Sequence, residues 1–70
     1  MGWFDLPEHW VYVTYEDGKT ENVANTDSLS KKEAQWFKDH WAQARGKKVV
    51  EVSLETDDGV KLKTFNYKED

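Results

Sequence analysis

Side chains able to carry acid–base, nucleophilic or metal chemistry are few in this chain and stand apart from one another. Its 70 residues include two histidines, His9 and His40, and no cysteine. Nucleophilic catalysis needs a Cys, or a Ser, Thr or Lys beside a base. Asp39 and His40 are neighbours in a helical stretch, where consecutive side chains point about 100° apart, so they form no dyad. Glu8 and His9 set one carboxylate and one imidazole near the first strand, short of the three or four ligands of a zinc site. The four glycines, Gly2, Gly18, Gly46 and Gly59, never share a loop, which leaves no phosphate cradle. Asp57-Asp58-Gly59 lacks the later ligands and closing Glu of a calcium loop and reads as a turn. The expectation is a non-catalytic protein without metal or cofactor.

Aromatic side chains are the residues in excess. Four Trp, three Tyr and three Phe make 14% of the chain, while there is no Ile, and Leu, Val and Phe together supply only 14 residues. That is the composition edge at which charged chains tend to stay unfolded, so Trp and Tyr must supply core material. A chain of this size buries about 60% of its unfolded surface, enough for one thin core and one domain, residues 1–70. Without cysteine there are no disulfides or thiolate metal sites to staple it.

Net charge is −4 and the pI is near 5.1. This disfavours a dedicated nucleic-acid binder, which draws its affinity from neutralising phosphates. Lys31-Lys32 and Lys47-Lys48 are pairs, not runs, and the second follows a helix end, where positive charge is favoured. No apolar run is long enough to cross a bilayer, and the N-terminus lacks the basic and apolar regions of a signal peptide. A soluble, cytoplasmic protein without membrane contact is expected.

Three local signals organise the chain. Residues 10–24 read as a hairpin: Trp10-Val11-Tyr12-Val13-Thr14-Tyr15 is β-branched and aromatic, and Glu16-Asp17-Gly18 supplies the turn. Residues 48–67 repeat the pattern around Asp57-Asp58-Gly59. Between them Ser30-Lys31-Lys32-Glu33 is a capping box that opens a helix over 30–45, and Gly46 closes it. Residues 1–9 form an N-terminal arm. The expected fold class is α+β in the order β-β-α-β-β, one helix packed on one face of a four-stranded sheet. The same order occurs in β-grasp immunoglobulin-binding domains, whose first and last strands lie parallel at the centre. This is a topological analogy, and no residue motif supports kinship.

Register decides which aromatics face the helix. On the helix, Ala34, Phe37, Trp41 and Ala44 fall within about 80° of one another as a buried stripe, with Trp36 on its flank and His40 between. A three-residue loop at Asp57-Asp58-Gly59 pairs Glu55 with Lys61, Leu54 with Leu62, Val52 with Thr64 and Ser53 with Lys63, and the opposed charges favour it. A two-residue loop instead pairs Val52 with Phe65 and Val50 with Tyr67. The first hairpin treated in the same way sets Val11 against Val23 and Val13 against Glu21. The three-residue register places Val11, Val13, Val23, Val50, Val52, Leu54, Val60 and Leu62 under the helix. It leaves Trp10, Tyr12, Phe65 and Tyr67 on the other face with Val49, Lys61 and Lys63.

A one-helix domain has no second layer for that face other than the arm, which brings Trp3, Phe4 and Leu6. The reading that follows is a small acidic protein-interaction or inhibitor module. Its partner is a protein, which Trp10, Tyr12, Phe65 and Tyr67 dock, with Trp3 and Phe4 as adjustable cover and Trp36 as an outlying contact. Self-association through the same face is one version. Competing readings are single-stranded nucleic acid stacked on Tyr12 and Phe65 beside Lys61 and Lys63, an acidic decoy of nucleic acid, and a structural or designed domain with no partner.

Overall fold

The structure, a computed structural model, describes residues 9–67. Strands β1 (His9–Tyr15) and β2 (Thr20–Asn25) are followed by helix α1 (Lys31–Arg45) and by strands β3 (Val49–Thr56) and β4 (Lys61–Asn66). The strands form one antiparallel sheet in the order β2-β1-β3-β4, and α1 covers one of its faces, the α+β arrangement expected. The central pair differs from the β-grasp analogy. It is β1 with β3, antiparallel, and β4 lies at an edge. Polarity accounts for this choice. β3 brings Val49, Val52 and Leu54 to the core, whereas β4 is largely exposed and carries Lys61 and Lys63, which suit an edge.

Helix α1 is set by its ends. The Ser30 hydroxyl accepts from the Glu33 amide at 3.1 Å, and the Ser30 amide donates to the Glu33 carboxylate at 2.8 Å. Both bonds satisfy donors that a helix start leaves open. At the other end Gly46 adopts φ +67, and its amide and that of Lys47 both donate to the Ala42 carbonyl. Leu29, one residue before the cap, is 1% exposed and shares the core with Ala34, the spacing of a hydrophobic staple.

Both hairpins close with three-residue loops. Tyr15 donates to the Lys19 carbonyl at 2.8 Å and Thr56 to the Val60 carbonyl at 2.9 Å, with Gly18 and Gly59 at positive φ. Next to the turns the expected register holds: Val13 faces Glu21 and Glu55 faces Lys61. Beyond these pairs each hairpin contains a bulge. Val11 then faces Ala24 instead of Val23, Leu54 faces Lys63, Ser53 faces Thr64 and Val52 faces Phe65. Tyr67 donates to the Val50 carbonyl at 2.8 Å.

The second bulge makes Leu62 the extra residue on β4 and turns Phe65 and Tyr67 to the helix side, where both pack on the core. Two aromatic side chains cover more apolar surface than the residues they displace, which is the gain that favours the bulge. Leu62 and Val60, expected under the helix, are 51% and 58% exposed, and Val49, expected opposite, is buried. The helix is rotated to match. Ala34, Phe37, Trp41 and Ala42 pack inward while Ala44 is exposed, and the half-buried Lys38 lies over the Tyr67 ring at 5.5 Å.

Candidate interaction site on the helix-free sheet face

Strand alternation builds this face from the middle outward. Val11 and Val13 point into the core, so Trp10, Tyr12 and Thr14 point away from the helix. Opposite them on β3 stand Glu55, Ser53 and Glu51, and on β4 Lys61, Thr64 and Asn66. Ser53 is buried on the floor between Tyr12 and Thr64, and its hydroxyl donates to a Glu55 oxygen at 3.1 Å. The Trp10 indole N–H donates to Asp57 in the β3–β4 turn, which fixes the ring along the end of the face. Lys61 reaches the Glu51 carboxylate at 2.6 Å, which raises the Lys61 pKa. Among the described residues no second layer covers these side chains.

Of the aromatics expected here, Trp10 and Tyr12 take their places, both half-buried. Phe65 and Tyr67 do not: the β4 bulge puts them on the other side. Trp3 and Phe4 lie outside the described residues. Trp36 belongs to the helix layer, 58% exposed, with its ring stacked on His40 at 4.7 Å and edge-on to Phe37 at 5.3 Å. The stacked pair follows from i, i+4 spacing on one helix. The contacts expected on one surface are therefore divided between two layers. The nucleic-acid arrangement loses its geometry as well, since Phe65 and Lys63 face the helix side and Lys61 is paired. Lys63 donates to the Leu29 carbonyl at 2.9 Å.

No protein family, curated protein or solved structure matches this chain.

The helix side differs in its electrostatics. Glu21 on β2 accepts from the Tyr15 hydroxyl at 2.6 Å and from both Nε and Nη2 of Arg45, the last residue of α1. Arg45 and Tyr15 hold the Glu21 carboxyl down to about 2, and Glu21 in turn raises Arg45. Burial and then Glu21 push the Tyr15 phenol up. Lys47 bonds Asp17 at 2.9 Å and lies over the Tyr15 ring at 5.1 Å. The Lys19 amide, with Lys47, lowers Asp17. These contacts tie the end of the helix to the first hairpin, and a catalytic constellation is not needed to explain them. His9 meets the Asp27 carbonyl at 3.3 Å, and among the described residues no three His, Asp or Glu side chains converge as metal ligands. No helix among them is long and apolar enough to cross a membrane.

A cleft of about 90 Å³ lies between the helix and the end of the sheet, lined by Lys38, Ala42, Lys48, Val49 and Tyr67. The Tyr67 hydroxyl is buried there without a hydrogen-bond partner, and burial followed by Asp39 raises its pKa. At that volume the cleft has room for little more than a few waters.

Proposed function

We propose that this chain is a small non-catalytic protein-interaction module that acts by laying the helix-free face of its sheet on a protein partner, with Trp10 and Tyr12 as the central contacts. The observation that supports the reading is their position. Two large aromatics stand next but one to each other on a central strand, on a face without a described covering layer. Trp and Tyr offer large contact area at low conformational cost and are enriched among binding hot spots. The Trp10–Asp57 bond and the strand backbone hold them ready for contact, which lowers the ordering cost of binding.

A second copy is a poor occupant of this face. Laid face to face, a second copy would bring Glu51, Glu55 and Asp57 against their own equivalents. The reading is tested by affinity capture from host lysate with the wild-type chain, Tyr12→Ser and Trp36→Ser, each shown by melting to be folded. A specific protein captured by wild type and Trp36→Ser but not by Tyr12→Ser is expected. Loss with Trp36→Ser and retention with Tyr12→Ser would move the site to the helix.

A further inference from the structure

The way charge is shared between the two layers names the chemistry of the partner. On the helix side each of four aromatic rings already carries a cation of the chain itself: Lys38 over Tyr67 at 5.5 Å, Arg45 over Trp41 at 5.0 Å, Lys47 over Tyr15 at 5.1 Å and Lys63 over Phe65 at 5.8 Å. Helix α1 itself has four Lys and Arg against two Asp and Glu. The helix-free face is the reverse. Glu51, Glu55 and Asp57 stand around Trp10 and Tyr12, and the one base among them, Lys61, is bound to Glu51. Among the described residues no cation lies over either ring.

Glu55 is the centre of this arrangement. It stands directly across from Trp10 and diagonal to Tyr12, so its Cβ lies within about 8 Å of theirs. Among the described residues only the Ser53 hydroxyl donates to it. A carboxylate beside aromatic faces is complementary to a guanidinium, which is planar, hydrogen-bonds carboxylates through a rigid fork and stacks on aromatic rings. We infer that the occupant of the helix-free face is an arginine-bearing segment of a protein, one of whose guanidinium groups seats against Glu55 between Trp10 and Tyr12. The inference rests on the docking reading above and gives it a chemistry. It also excludes a second copy of the chain laid face to face, which would bring Glu51, Glu55 and Asp57 against their own equivalents.

The test uses the ¹⁵N-labelled 70-residue chain and two synthetic peptides, one alternating Arg with Ser over nine residues, the other with citrulline in place of each Arg. The arginine peptide is expected to move the Trp10 indole N–H and the Tyr12, Ser53 and Glu55 amides saturably, to leave the Trp36 indole in place, and to weaken as salt rises. Glu55→Gln is expected to lower its affinity by about two- to fivefold, the scale of one exposed charge pair. Equal shifts on this face with both peptides would overturn the cationic preference and leave the docking face standing. Shifts confined to Trp36 and His40 would overturn both. No shift with the arginine peptide would overturn the inference.

Discussion

Leu29→Ala and Leu62→Ala together test the packing on which the assignment of faces depends. The Leu29 side chain is 1% exposed, beside the start of α1, whereas Leu62 is 51% exposed at the β4 bulge. Cutting Leu29 back to Ala removes about three buried carbons at ~0.8 kcal/mol each, and the space left behind brings the cost to about 3 kcal/mol. A 70-residue domain has only about 3.5–10 kcal/mol in total, so one loop leucine accounts for a large part of it. The Lys63 bond to the Leu29 carbonyl is to main chain and survives the substitution. Urea unfolding followed by Trp fluorescence is expected to show the midpoint falling by roughly 2–3 M with m unchanged. Leu62→Ala is expected within about 0.5 kcal/mol of wild type. Near-neutral Leu29→Ala would refute the burial of the residue before the helix cap, and a Leu62→Ala loss above 2 kcal/mol would refute the bulged register and return Phe65 and Tyr67 to the other face.

Acid stability follows from Glu21. Its carboxyl has an ordinary value of 4.5 and is held at about 2 in the fold, so the stability it contributes is complete above about pH 4.5 and is lost as pH falls towards 2. Asp17 and Glu33 are lowered too and act with the same sign. Thermal melts between pH 7 and 2 should show this decline, and Glu21→Gln should flatten its Glu21 part; an unchanged pH profile in that variant would contradict the Arg45–Glu21–Tyr15 tie. Gly46→Ala should cost about 1 kcal/mol in chemical unfolding, because φ +67 disfavours a Cβ although nothing stands within 4 Å of one. A neutral or stabilising result would place the helix end elsewhere.

Elements and turns were legible in the sequence because their signals are local. Ser30 to Glu33 and Gly46 bound the helix, and Asp-Gly turns, with opposite charges at Glu55 and Lys61 on facing positions, fix the loops and the first cross-strand partners. The bulges were not legible. A strand that reads Lys61-Leu62-Lys63-Thr64-Phe65 satisfies alternation in either register, and the choice comes from a nonlocal comparison: Phe65 and Tyr67 inside, against Leu62 and Val60. Both registers weighed for this hairpin occur, one beside the turn and the other beyond the bulge. Half of the aromatic surface was misplaced for that reason, whereas Trp10 and Tyr12, on a strand whose neighbours Val11 and Val13 are unambiguous, were not. Ala42 takes the place of Ala44 in the buried stripe and lines one cleft with Tyr67. Leu29 carried a readable signal in its position one before the cap and five before Ala34. That Glu51 and Glu55 share a face with Tyr12 follows from strand alternation, whereas their adjacency to Trp10 and Tyr12 comes from β3 lying beside β1.

The claim that the helix-free face is the docking face is tested most directly by hydroxyl-radical footprinting of the chain alone and bound to its captured partner. Trp10 and Tyr12 side chains should be modified in the free chain and protected in the complex, while Trp36 is modified at the same rate in both. Protection of Trp36 with Trp10 and Tyr12 unchanged would contradict the account.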